Sequence, residues 1–239
     1  MKILFIGNSF SADLSRYMQD ISDGELFVRN LYIGGCSLET HVKNLRSGEA
    51  AYEYCENSEK LYMISIPDAV KAEDWDIISV QQVSSHSGLI NSYEPYIGEL
   101  VAYLKEAAPN AKLVFHKTWA YEATSDHPGF AAYGNDGDVM YEKITETTKT
   151  IAERYSLPVI PSGDAVNMAR KMPEFNIAEG GQPITRDGFH MNIPYGRYLI
   201  GLVANKFFTG KSASSVTYIP DGADEGICEK LKTLADTIV

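Results

Sequence analysis

Positive charge is scarce in this sequence. Its 239 residues carry 21 lysines and arginines against 32 acidic residues, a formal net charge of −11 at pH 7. Nucleic acids and anionic membranes need a cationic footprint, so neither is expected as a partner. Cysteine is scarcer still. Cys36, Cys55 and Cys228 are far apart, odd in number and without a C-x-x-C pair, which gives neither a zinc knuckle nor a disulfide framework. Free thiols fit a reducing compartment. No apolar run approaches the length of a membrane span. The run before Gly7 has four apolar residues behind one lysine, too few for a signal-peptide core, so the cytoplasm is the expected location. The first turn has neither G-x-G-x-x-G nor a phosphate-loop lysine, and no histidine lies in H-E-x-x-H. No cofactor and no metal is therefore expected.

What is present reads as an ordinary globular chain. At 44% hydrophobic and 22% charged it can bury a full core, and its length suits a single domain over residues 1–239. The stretch that organises it is the first eleven residues. Ile3, Leu4, Phe5 and Ile6 form an unbroken apolar run, as in a strand buried on both faces. Gly7 ends the run, and Asn8, Ser9 and Ser11 are helix-capping types ahead of a helix over residues 12–21. Ser9 thus falls at the carboxyl end of the first strand, where open α/β sheets have their binding crevice.

Further along, residues 25–33, 75–80, 112–115 and 157–160 read as strands. Residues 93–108, 139–155, 195–208 and 225–238 carry helical periodicity, and a shorter helix runs to about residue 172. Residues 52–66 read as an inserted β-hairpin. Residues 119–135 form a long loop too rich in aromatics for disorder, in keeping with a lid. Strands alternating with helices predict an α/β fold with a mostly parallel, doubly wound sheet.

Three residue types suited to one reaction recur at telling places. A hydroxyl is a poor nucleophile until a base takes its proton, and the base works best when a third group fixes its tautomer. Ser9 offers the hydroxyl. His190 follows Asp187 by three residues at the mouth of a helix, so one carboxylate can reach the imidazole of its own turn. The oxyanion of an acyl-transfer intermediate needs donors as well. The Ser9 N–H is one candidate, the backbone of Gly34 and Gly35 another, and the side-chain amide of Gln81 or Gln82 a third.

Four blocks, in order, resemble the SGNH (GDSL-type) hydrolases: Gly7-Asn8-Ser9-Phe10, Gly34-Gly35-Cys36-Ser37, Trp75-Asp76 to Gln81-Gln82, and Asp187-Gly188-Phe189-His190. The closest likeness is to a branch whose first block reads Gly-Asn-Ser-Phe. The resemblance implies a flavodoxin-like three-layer α/β/α sandwich and ester hydrolysis without a cofactor. It makes Ser9 the nucleophile, His190 the base and Asp187 its orienter. It places the oxyanion glycine at Gly35, with Gly34 in reserve. Two departures stand out. Asn8 replaces the usual Asp, and the family's Gly-x-Asn-Asp block is missing. Glutamine takes that place in carbohydrate-acetylesterase relatives, which favours Gln81 over Gln82. The expected substrate is a small-molecule or glycan ester, an acetylated carbohydrate foremost. Asn8, His41, Trp119 and Tyr121 are candidates for lining its pocket. A lipid, thioester or arylester substrate on the same machinery, or a carbohydrate-binding protein without catalysis, are the alternatives.

Overall fold

The apolar run after Lys2 folds as β1 (Lys2–Gly7), the middle strand of a seven-stranded sheet in the computed structural model, which describes residues 1–239. Alternate side chains leave a strand on opposite faces. Ile3 and Phe5 therefore enter one core, and Leu4 and Ile6 the other. Helices cover both faces, which is why the run has no polar position.

After Gly7 come α1 (Ser9–Ser15), α2 (Met18–Ile21), β2 (Phe27–Tyr32) and α3 (Leu38–Ser47). An antiparallel hairpin of β3 (Tyr52–Glu56) and β4 (Glu59–Ile64) leads to α4 (Ile66–Lys71), β5 (Ile77–Val80) and α5 (Tyr96–Ala107). Then follow β6 (Lys112–His116), α6 (Gly137–Tyr155), β7 (Val159–Ile160), α7 (Ser162–Ala169), α8 (Tyr195–Thr209) and α9 (Glu225–Ile238).

The strand order is β4-β3-β2-β1-β5-β6-β7. The strands from β2 to β7 across β1 are parallel, and the hairpin adds two antiparallel strands beside β2. The parallel part is doubly wound. The chain leaves β1 toward β2 on one side and later returns as β5 on the other, so the switch point lies between β1 and β5. The loops at their carboxyl ends carry Ser9 and Gln81. Leu14, Met18, Val166, Leu199 and Leu231 bring α1, α2, α7, α8 and α9 onto one face. Val42, Ile66 and Leu100 bring α3, α4 and α5 onto the other.

Three local readings shift for physical reasons. The first helix starts at Ser9, earlier than residue 12, because Asn8 caps it: Asn8 Oδ1 accepts the Phe10 N–H at 3.0 Å. The fifth helix starts at Tyr96 because Pro95, at its cap position, disfavours helical backbone at Glu94 before it. The expected lid over residues 119–135 is packed down. Trp119, Tyr121, Phe130 and Tyr133 are each at most 1% exposed, and Trp119 stacks on Phe10 with ring centroids 4.1 Å apart. Burying an aromatic ring stabilises by about 1.5–3 kcal/mol, so these four rings offset a substantial part of the entropy lost on ordering the loop. No helix is long and apolar enough to cross a membrane.

Two histidines lie wholly inside. Burial pushes the imidazoles of His41 and His116 down from 6.5 to about 3. Between those two values the unfolded chain binds a proton that the folded chain refuses, so acid favours unfolding. The unfolding free energy should fall by about 1.4 kcal/mol per pH unit for each histidine as pH drops below about 6.5. Urea unfolding at pH 7, 6, 5 and 4 checks this, and His116→Gln should make the slope shallower. A flat profile down to pH 4 would contradict it.

Candidate active site

The turn after β1 is built to present a hydroxyl. A Cβ on Gly7 would stand 2.3 Å from Ser11 Oγ, so only glycine lets the turn close. Asn8 then caps α1, and Ser9 becomes its first residue, with an N–H that has no partner inside the helix. Ser9 Oγ lies 2.8 Å from His190 Nε2. On the far side of the ring, His190 Nδ1 lies 2.7 Å from Asp187 Oδ2. The other oxygen of Asp187 accepts the N–H of Phe189 at 3.2 Å and of His190 at 2.7 Å. Burial opposes the charge on Asp187, but the His190 ring and these two N–H groups outweigh it and hold the carboxyl below its usual range. The Nδ1–H tautomer follows, leaving Nε2 to accept from Ser9. Gly188, at φ +85°, makes the tight turn between acid and base; a Cβ there would meet Ser125 Cα at 2.6 Å.

The loop bearing Asp187 and His190 is fixed from two sides. Thr185 bridges Met191, and the Arg186 N–H donates to the His190 carbonyl at 2.8 Å. From α1, Asp13, 1% exposed, accepts the Met191 N–H at 2.9 Å, Arg186 Nη1 at 3.1 Å and Arg197 Nε at 2.8 Å. From the other side, Glu122 accepts the Ile184 and Thr185 N–H groups and donates its own N–H to the Gly188 carbonyl. Trp119 Nε1 donates to the Phe189 carbonyl at 2.6 Å.

Ser9 and His190 open into a hollow of about 230 Å³ lined also by Asn8, Gly34, Gly35 and Phe10. The Gly35 N–H has no protein acceptor. Asn8 is committed to the turn, its Nδ2 donating to the Cys36 carbonyl at 3.1 Å. Other expected residues lie elsewhere. Gln81 does not line the hollow: its amide donates to Asn8 Oδ1 at 2.9 Å and its carbonyl accepts from His116 Nδ1 at 2.8 Å. Gln82 accepts the Leu38 and Val83 N–H groups and donates to Ser92. A side-chain amide behind a buried strand must be satisfied inside the protein, and both are. His41 is buried against Tyr52, Tyr121 against Ser84, and Trp119 against Phe10, so none of these three reaches the hollow. A larger cleft, about 610 Å³ beside Arg170, contains no member of the Ser9–His190–Asp187 chain.

The hollow also has walls that residue spacing did not reveal: Ser84, His127 and Phe189. His127 Nδ1 accepts the Gly129 N–H at 3.0 Å, which puts the ring proton on Nε2. Burial lowers its pKa, and its ring lies 5.0 Å from that of Phe189. The aromatic richness of the 119–135 loop was the available signal, but nothing in the sequence says which loop residue turns inward. Cys36 is no nucleophile, since burial pushes its thiol up to about 12. No group of three or more His, Cys, Asp and Glu side chains is placed to hold a metal ion.

The architecture has relatives of known structure. A proposed SGNH hydrolase from Slackia heliotrinireducens superposes with a TM-score of 0.60 at 22% identity, over 87% of this chain and 98% of that one. An acetyl xylan esterase superposes at 0.55 with 15% identity, over 88% and 99%. At such identities the likeness is one of fold, and the fold is that of the SGNH/GDSL hydrolases. Residues 2–237 match the family described as "Domain of unknown function (DUF4886)". A DUF4886 family protein from Bacteroides uniformis is 34% identical over 99% of this chain and 93% of its own, with a TM-score of 0.90. The chain belongs to the DUF4886 family. No curated protein matches it.

Removing one partner of a buried ion cluster strands the others. Asp13→Ala should therefore destabilise the protein by about 2–3 kcal/mol, at the lower end because Arg186 remains partly hydrated. Urea unfolding measures it, and a loss under about 0.5 kcal/mol would show that the cluster holds nothing in place.

Proposed function

We propose that this protein is a serine esterase that hydrolyses a small acyl ester through Ser9, His190 and Asp187. The observation that carries the reading is the unbroken hydrogen-bond chain from Ser9 Oγ through both ring nitrogens of His190 to Asp187. His190 Nε2 takes the hydroxyl proton as Oγ attacks the ester carbonyl. Asp187 stabilises the imidazolium, and the N–H groups of Ser9 and Gly35 hold the oxyanion. The tetrahedral intermediate collapses as the ester C–O bond breaks, and His190 returns its proton to the departing alcohol. Water, deprotonated by the same imidazole, then releases the acid from Ser9. With Gln81 bound to Asn8 and His116, the side-chain donors among the residues lining the hollow are the His127 Nε2–H and the hydroxyls of Tyr32 and Ser84.

Size favours a short acyl group. The hollow of about 230 Å³ must hold the carbonyl as well as the acyl chain, between the rings of Phe10 and Phe189. A hollow of this size suits an acetyl ester better than a long acyl chain, which would have to leave it. The alcohol is proposed to be a carbohydrate.

Replacing Ser9 or His190 by alanine should lower kcat on p-nitrophenyl acetate roughly 10⁴-fold. A fluorophosphonate probe should label Ser9, and acetyl should exceed octanoyl esters in kcat/KM. Near-normal turnover by Ser9→Ala would overturn the assignment, and an unlabelled Ser9 in the wild type would favour a binding protein.

A further inference from the structure

A second hollow meets the first at Ser9. It holds about 250 Å³ and is lined by Asp13, Tyr32, Glu53, Arg186 and Arg197 besides Ser9. Ser9 and Tyr32 belong to both hollows. On the esterase reading, on which this inference rests, a bound ester must straddle Ser9. The first hollow has Gly35 and the apolar walls, so it takes the carbonyl and acyl group. The second has neither, and it takes the alcohol half.

The charged groups around this second hollow are unevenly paired. Asp13 is shared by Arg186 and Arg197, and Glu53 is paired with Lys60 at 3.4 Å. The hollow itself is lined by two guanidinium groups and two carboxylates, but both guanidinium groups pair with Asp13 while Glu53 pairs with Lys60 outside it, so the second guanidinium has no carboxylate of its own. Asp13 has no acceptor capacity to spare, since it already takes the Met191 N–H and both guanidinium groups. Arg186 uses only Nη1, on Asp13 and on the Met191 carbonyl, and Arg197 uses only Nε. Nη2 and Nε of Arg186 and both terminal nitrogens of Arg197 have no protein acceptor. The two side chains are 36% and 17% exposed, so those edges are open to a ligand. One guanidinium would neutralise Asp13; the second is in excess of that need.

We propose that Arg186 and Arg197 bind an anionic group, a carboxylate or a phosphate, on the alcohol half of the ester. Planar guanidinium edges match the paired oxygens of either group, and such charge-assisted bonds are roughly twice as strong as neutral ones. The substrate class is then an acyl ester of an acid sugar or of a phosphorylated alcohol.

The test compares the wild-type protein on matched pairs, with p-nitrophenyl acetate as a neutral reference. One pair is acetylated glucuronate against acetylated glucose, the other acetylated glycerol phosphate against acetylated glycerol. In at least one pair the anionic member should have a kcat/KM about tenfold or more higher, with the advantage shrinking as salt rises. The pair that shows it separates the carboxylate from the phosphate source. In Arg197→Gln the anionic-to-neutral ratio should fall toward one. Because the ratio is taken within one variant, a lower folded fraction does not disguise it. Calorimetric binding of glucuronate and glycerol phosphate, against glucose and glycerol, gives a readout that needs no turnover. If p-nitrophenyl acetate is hydrolysed through Ser9 but neither pair shows a preference, the anion site is wrong and the esterase reading stands. If nothing is hydrolysed and Ser9 is unlabelled, the esterase reading fails. In that case equal binding of charged and neutral ligands would overturn the anion site as well.

Discussion

A buried carboxylate, Asp13, is the constraint on which the site depends. It sits one helical turn after Ser9 in α1 and joins that helix to Arg186, Met191 and Arg197, residues 173 to 184 positions away. A carboxylate out of water is costly unless it is paired and hydrogen-bonded on every side. Asp13 therefore admits one arrangement of the loop bearing Asp187 and His190, the one that delivers two guanidinium groups and a backbone N–H to it. That arrangement sets His190 opposite Ser9. Glu122 holds the same loop from the other direction through the Ile184 and Thr185 N–H groups. The loop between Ile184 and Met191 has little regular structure of its own, so these two acids supply the rigidity that a strand or helix would otherwise give.

Beneath the turn that carries Ser9 runs a neutral polar chain from Asn8 through Gln81 and His116 to Ser162. It accounts for asparagine at position 8. Asn8 accepts from the Phe10 N–H and from Gln81 while donating to the Cys36 carbonyl. An ionised aspartate accepts but cannot donate, and would leave that carbonyl without a partner. The same chain explains why Gln81 is absent from the hollow. Its amide is spent on keeping the floor of the site satisfied, and His116 stays neutral within it. The site thus has a neutral floor, an apolar side with Phe10 and Phe189, and a side with two guanidinium groups on one carboxylate.

Much of this was legible beforehand, and the reason differs by level. The apolar run Ile3–Ile6 fixed a doubly covered strand because period and burial are local properties of a chain. The hairpin at residues 52–66 and the helix–strand alternation were readable for the same reason. Asp187 and His190 could be paired because three residues separate them. Helix starts moved by a few residues where a capping side chain, Asn8, or a proline ring, Pro95, decided the cap. His41, Trp119 and Tyr121 were drawn toward the crevice by residue type, yet each found its partner in the core.

The sequence by itself determined the α/β alternation, the placement of Ser9 at a strand end and the local pairing of Asp187 with His190, since each depends on neighbours along the chain. Only the tertiary structure decided that Ser9 meets His190, that both glutamines face inward, and that His127, Arg186 and Arg197 surround Ser9. Those outcomes turn on where buried polar groups find partners across large sequence separations, and no periodicity within a segment encodes that.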